Sequence, residues 1–279
     1  MSDIVFIADF FVDQIAGGGE LCNDALIQKI RSMGHKVKTS QSHLLTDYDL
    51  LHHNKFIVAN FMNLAERHKN MLKGKDYVIY EHDHKYLRNR NPNAYPDYLA
   101  PESEIINKQF YKDAKSVFCQ TDFHANIIKK NLKLDNIVSL GGNMWSLEHL
   151  SILQENSRKT KADTNAIMAS NTPHKNTTGA IQYCEAIGLD YVLLQPSSPS
   201  DFLDQLGSCS TLIFFPKTPE TLSRIVVEAR MMGMSTKTTN NIGAVHEKWF
   251  SLKGLQLIEY MRSKRDDIPK TILEALNEQ

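Results

Sequence analysis

The stretch "FFPKTPETLSRIVVEARMMGM" (214–234) carries two acids, Glu220 and Glu228, eight positions apart. Between them Leu222, Ile225, Val226 and Ala229 recur at helical spacing, so one stripe of a helix here must face a core. Glu228 falls inside that apolar pattern, where a carboxylate is not buried without a partner. The two acids are therefore either surface decoration or two groups aimed at one ligand. An apolar strand stops at Pro216, just before the first of them.

Three further stretches could carry chemistry. "AGGGEL" (16–21) follows an apolar run and opens a helical pattern. Gly17, Gly18 and Gly19 would let a backbone approach an anion closely, at a helix start that offers unpaired N–H groups. A flexible turn is the plainer reading. It is not a dinucleotide fingerprint, because Cys22 stands where the third glycine belongs, and "KVKTSQS" ends the second strand without an acid for a ribose. In "VIYEHDHKYLRNRNPNAYP" (78–96) a strand runs straight into Glu81, His82, Asp83 and His84. Charged groups gathered where a parallel strand ends suit a site, although a solvated strand end gives the same pattern. His82 and His84 alternate and should diverge on extended backbone, which disfavours a shared metal. Arg88, Arg90, Tyr95 and Tyr98 follow, as a substrate grip or an ordinary polar loop. "SNTPHKNTTGA" (170–180) puts Lys175 at a helix start, where it opposes the macrodipole unless an anion is bound; a surface lysine is the alternative. "TTNNIGAVHE" (238–247) could close over the same ligand.

These residues need elements to hold them. Strands are expected over Ile4–Phe10, His35–Thr39, Lys55–Ala59, Tyr77–Tyr80, Ser116–Gln120 and Asn136–Leu140, with helices over Leu21–Met33, Leu64–Leu72, Glu104–Ala114 and Phe123–Leu132. Such alternation predicts a doubly wound parallel sheet. The polar stretch Glu148–Thr164 has no strand signal and reads as a link between domains 1–147 and 148–279. The pattern restarts at Asn165–Ser170, continues through a helix over Thr178–Ile187, strands at Tyr191–Pro196 and Thr211–Pro216, and a short helix over Asp201–Leu206. The tail Leu252–Glu278 reads as helical, interrupted near Pro269, and its last helix could pack back on the first domain.

Composition narrows the function classes. The 279 residues suit one large or two smaller domains, and the formal net charge is zero. That offers no global attraction to nucleic acid or acidic membrane. Four scattered cysteines, Cys22, Cys119, Cys184 and Cys209, without a C-x-x-C, suit reduced thiols and a cytoplasmic setting. "MSDIVFIADFF" lacks the basic start of a signal peptide, and no apolar run is long enough to be an integral membrane segment.

Taken together the stretches resemble the GT-B-fold glycosyltransferases of the retaining E-x7-E type: "GGGE" after the first strand, "EHD" at a strand end, "HKN", and above all the strand, Pro216, Glu220 and "TLSRIVVEARMMGM". The resemblance implies an α/β protein of two Rossmann-like domains facing across a cleft. It implies a hexosyl- or pentosyltransferase that takes a nucleotide-sugar donor mostly on the second domain. Its acceptor, on the first, would be a glycan, a lipid-linked group or a nucleic-acid base. Carried over, Glu220 contacts the donor sugar and Glu228 the ribose hydroxyls. Lys175, the amides of Thr221, Leu222 and Ser223, and Gly17–Gly19 serve the donor phosphates, with His82 and Asp83 beside the reacting sugar. Eight helical residues advance about 12 Å, a span suited to a sugar and a ribose joined by a diphosphate. No metal and no cofactor is expected. A D-x-D at Asp47–Asp49 stands in a helical context and reads as coincidence. Where the family carries an arginine five residues before its lysine, this chain has Ser170. Rival readings are a glycosyltransferase of bases in a viral genome, a catalytically idle sugar-nucleotide-binding protein, and an NAD-type oxidoreductase weakened by the missing fingerprint.

Overall fold

A computed structural model describes residues 3–277. The chain divides into two units, 1–146 together with 263–279, and 147–262.

The first unit alternates strands and helices: β1 (Asp3–Ala8), α1 (Gly18–Ser32), β2 (Lys36–Gln41), α2 (Asp47–His52), β3 (Lys55–Val58), α3 (Glu66–Leu72), β4 (Asp76–Glu81), α4 (Lys108–Asp113), β5 (Ser116–Cys119), α5 (Asp122–Leu132) and β6 (Ile137–Ser139). All six strands are parallel, in the order β2-β1-β3-β4-β5-β6. Successive side chains of β1 serve opposite faces. Val5 and Ile7 join a core with α3, α4 and α5, whereas Ile4 and Phe6 join one with α1. Ile268, Ile272 and Leu276, from the last helix of the chain, complete the second core.

The second unit contains α6 (Leu147–Ser157), β7 (Ala162–Met168), α7 (Thr177–Ile187), β8 (Tyr191–Leu194), α8 (Pro199–Gly207), β9 (Cys209–Ile213), α9 (Arg224–Met231) and β10 (Ser235–Lys237). Its four parallel strands run β10-β9-β7-β8. Ile167 and Ile213 pack on Ala180 and Cys184 of α7, and α6 packs on α8 and α9. The last helix, α10 (Leu255–Asn277), begins in this unit and ends in the first.

Three departures from expectation have local causes. The stretch 148–164 is no bare link: it forms α6, with Leu150 and Leu153 fully buried, and the beginning of β7. The first half of β7 is largely uncovered and therefore polar, so it lacked a strand signature. The helix expected from Glu104 starts only at Lys108, because Asn107 takes a left-handed φ of 58° and caps it. Finally, α10 runs through Pro269 without a break. Proline removes one helical hydrogen bond, but the buried row Ile268, Ile272 and Leu276 holds the helix on both sides of it.

Candidate functional site

Ligands of doubly wound sheets bind outside the carboxyl ends of the strands, where the strand order reverses direction. In the second unit that reversal lies between β7 and β9. The loops leaving these two strands carry Lys175 and Glu220, and the structure brings them together: Lys175 Nζ donates to Glu220 Oε1 at 2.8 Å. Backbone bonds sew the surrounding loops into one platform. The Glu220 N–H donates to Asn241 O at 2.7 Å, the Gly243 N–H to Glu220 O at 2.8 Å, and the Ala244 N–H to Leu222 O at 3.2 Å. The Lys217 N–H reaches His174 O at 2.8 Å, and Asn176 Nδ2 reaches Phe215 O at 2.9 Å. The "NIG" stretch is thus the inner wall of the Glu220 loop.

Glu220 does not stand on the helix. It forms an isolated bridge with Ile242, and α9 starts three residues after Glu220's neighbour Thr221, at Arg224. Thr221 and Leu222 therefore belong to the loop, and Ser223 is the helix cap, so the eight-residue helical rise does not measure the separation of the two acids. Ser223 adopts φ 70°, a conformation that costs a non-glycine residue free energy. It is 5% exposed, and its Oγ has no hydrogen-bond partner among the described residues.

One turn into α9, Glu228 is 6% exposed and has two nitrogen groups on one oxygen. Arg224 Nε lies 2.8 Å and His149 Nε2 2.9 Å from its Oε1. Neither partner was among the candidate residues of the sequence. Arg224 had a signal, the i,i+4 spacing on a helix. His149 comes from α6 and had none.

In the first unit β4 ends in a buried charge cluster. Glu81 and Lys85 are both fully buried and ion-paired. Glu81 also accepts from the Tyr111 hydroxyl and from the Asp83 N–H at 2.8 Å. Burial pushes the Glu81 carboxyl up, with Lys85 and the Tyr111 hydroxyl pulling against it. The chain is thereby turned so that His82 sits with Nε2 at 2.7 Å from Asn23 Oδ1 and Nδ1 at 2.7 Å from Gln120 Nε2. An acceptor on one side and a donor on the other select the neutral ring protonated at Nε2. Burial, aided by Lys85, lowers His82 to about 3. Asp83 pairs with Arg90; burial raises its carboxyl, but Lys85 and Arg90 outweigh that and hold it below the usual range. His84 is 2% exposed with both ring nitrogens unpartnered among the described residues, and burial lowers it to about 4. The third buried ring, His124, donates from Nε2 to Asp83 O at 2.9 Å and is also lowered by burial.

Gly17 caps α1, Gly18 is its first residue, and Gly19 lies against His82, where an added Cβ would stand 3.7 Å from the ring. None of the three has a positive φ, so they matter here for their lack of side chains. Glu20 already places a carboxyl in this first turn, bonded to Asn60 and raised by burial. Asp47 and Asp49 are occupied within α2: Asp47 pairs with His68 and Arg67, while Asp49 closes a capping box with Thr46 and binds Lys38. No group of three His, Cys, Asp or Glu suited to a metal occurs among the described residues. No helix there is long and apolar enough to cross a membrane.

No protein-family model and no curated protein matches the chain. Solved structures do. HepE (Alr3699) of Anabaena, in complex with UDP and glucose, is 12% identical, with TM-score 0.57 over 99% of this chain and 92% of its own. An alpha-glucosyltransferase in complex with UDP and a 13-mer DNA containing an HMU base is 11% identical, with TM-score 0.53 over 99% and 95%. A glycosyltransferase from Rickettsia africae is 14% identical, with TM-score 0.53 over 99% and 93%. At these identities the likeness establishes the fold: α/β, with two parallel-stranded Rossmann-like domains of the GT-B class.

Removing one partner of a buried ion pair strands the other charge. Lys85→Met should therefore cost about 3–5 kcal/mol in urea unfolding, and the further change Glu81→Leu should restore much of it. A loss within experimental error for Lys85→Met would show that the pair does not organise the end of β4.

The histidines set an acid limit. An unfolded histidine binds its proton near pH 6.5, but folded His82 does so at about 3 and His84 at about 4. Between those values the unfolded chain holds more protons, so their contribution is complete above about pH 6.5 and is lost as pH falls towards 3. Nitrogen-15 NMR at pH 5.5 should find His82 and His84 neutral, with His82 protonated at Nε2. Titration of either ring near 6.5 would contradict this arrangement.

Proposed function

We propose that the protein transfers a glycosyl group from a nucleoside-diphosphate sugar, bound on the second unit, to a hydroxyl acceptor. The observation that carries this reading is the Lys175–Glu220 pair at the switch point of the second sheet, with the buried, unpartnered Ser223 Oγ at the start of α9 beside it in sequence. A cation, a helix N-terminus and a hydroxyl without a partner make a receptor for a diphosphate. The strained φ of Ser223 is explained if the backbone there is shaped for a ligand. UDP in the structures of HepE and of the DNA-bound alpha-glucosyltransferase favours a uridine nucleotide.

In this reading Lys175 and the α9 start, with the backbone at Thr221 and Leu222 leading into it, hold the diphosphate. An incoming phosphate competes with Glu220 for Lys175, which releases the Glu220 carboxylate towards hydroxyls of the donor sugar. Glu228, steadied through one oxygen by Arg224 and His149, takes the ribose hydroxyls. As the resemblance implies, His82 and Asp83 serve the reacting sugar and Gly17–Gly19 the donor phosphates. The bond from the anomeric carbon to the diphosphate breaks and a bond to the acceptor oxygen forms. The acceptor's proton goes to the departing diphosphate. Resemblance to the E-x7-E enzymes adds retention at the anomeric carbon. Lysine and helix amides supply the positive charge that the leaving group demands, so we infer a transfer that needs no divalent metal.

Glu228→Ala should weaken UDP-glucose binding roughly ten- to a hundredfold, since a lost charged hydrogen bond costs about 1.5–3 kcal/mol. Unchanged affinity by calorimetry, with the melting temperature preserved, would reject the ribose role. Turnover should survive excess EDTA and collapse on Lys175→Ala. Loss of turnover in EDTA, with recovery on added magnesium or manganese, would instead place a metal in the reaction.

A further inference from the structure

The carboxyl ends of β1 and β2 and one side of α1 line an open cavity of about 510 Å³ in the first unit, a size ordinary for small-molecule sites. Its chemistry is mixed in a particular way. Phe11 and Ile27 give apolar wall, while Asp13, Asp24, Gln14 and Gln41 give polar edge. The two glutamines are locked together: Gln14 Oε1 accepts from Gln41 Nε2 at 3.1 Å and from the Phe11 N–H at 3.0 Å, and Gln41 Nε2 also reaches Asp9 O at 3.3 Å. This spends the Gln14 carbonyl and the Gln41 amino group. It leaves the Gln14 amino group and the Gln41 carbonyl without a bond among the described residues, so the lining offers one amide donor and one amide acceptor. The one cation of the lining, Arg31, donates from Nη2 to Val37 O at 2.8 Å.

We infer that this pocket binds a neutral saccharide. A vicinal diol both donates and accepts, as do the Gln14 amino group and the Gln41 carbonyl between them, and carboxylates accept further hydroxyls. The C–H faces of a sugar ring fit the apolar wall. Two carboxylates against one engaged guanidinium repel phosphates, which speaks against nucleic acid and against a diphosphate-linked lipid in this cavity. If the transfer proposed above is correct, and only then, the saccharide is its acceptor, and the acceptor class is a glycan.

The test uses the full chain and saturation-transfer NMR with glucose, maltose, cellobiose, lactose and chitobiose as probes, alongside calorimetry with UDP. At least one sugar should bind, and Gln41→Leu and Asp24→Leu should each weaken it about tenfold or more. Neither change should alter the circular dichroism melt or UDP affinity. Binding of none of the five sugars overturns the pocket, as does binding that survives both substitutions or displacement of the sugar by a single-stranded DNA oligomer. Sugar binding without any UDP binding keeps the pocket and sinks the transferase reading instead.

Discussion

The pairing of Glu81 with Lys85 is the constraint on which the first unit's chemistry rests. Both side chains are at zero exposure, so each is tolerable only because the other is there. The four-residue spacing does not reflect a helix. It is a tight turn off the end of β4, folded back so that the lysine meets the acid which precedes the turn. His82 and Asp83 are the residues carried on that turn. Their orientation follows from the pair: the Asp83 N–H is bonded to Glu81, and the His82 ring is caught between Asn23 of α1 and Gln120 beyond β5. A neutral, doubly bonded imidazole is suited to fixing position and shape and unsuited to exchanging protons near neutral pH.

The second unit solves its positioning problem with backbone. Lys175 and Glu220 come from loops on strands that are adjacent in the sheet but far apart in sequence. Their meeting is secured by hydrogen bonds among three loops, in which Glu220 is flanked on both its N–H and its carbonyl by the 241–243 segment. A parallel sheet makes this natural, because every loop at the carboxyl edge opens at the same end. Two non-glycine residues of these loops, Asn176 and Ser223, take left-handed backbone, at φ 57° and 70°. Such turns persist only where the surroundings over-determine them.

Glu228 illustrates what a buried carboxylate requires. A carboxylate at 6% exposure in an apolar helix needs partners, and it has a guanidinium from its own helix and an imidazole from α6. Both meet the same oxygen, which orients the group without surrounding it. The α6 helix, which lies next to α9, is therefore part of the site's support as well as a packing element.

Much of the fold was legible because it depends on short-range signals. Strand–helix alternation announced two parallel sheets, and the apolar stripe of Ile225, Val226 and Ala229 announced α9. As candidates, Glu220, His82 and Asp83 could be singled out from residue type and position after a strand, Lys175 from its place at a helix start, and Glu228 from its place inside an apolar helix. What the sequence could not declare were partners: that Lys175 meets Glu220, that His149 meets Glu228, that Asn23 and Gln120 hold His82, and that Lys85 neutralises Glu81. It also misjudged where α9 begins, since a left-handed Ser223 has no signature in residue type, and it missed α6 in a polar stretch whose leucines are buried only by tertiary packing. Periodicity reports burial along one element. Distances between loops are set by strand order and by hydrogen bonds across the sheet edge, and these exist only once the chain has folded.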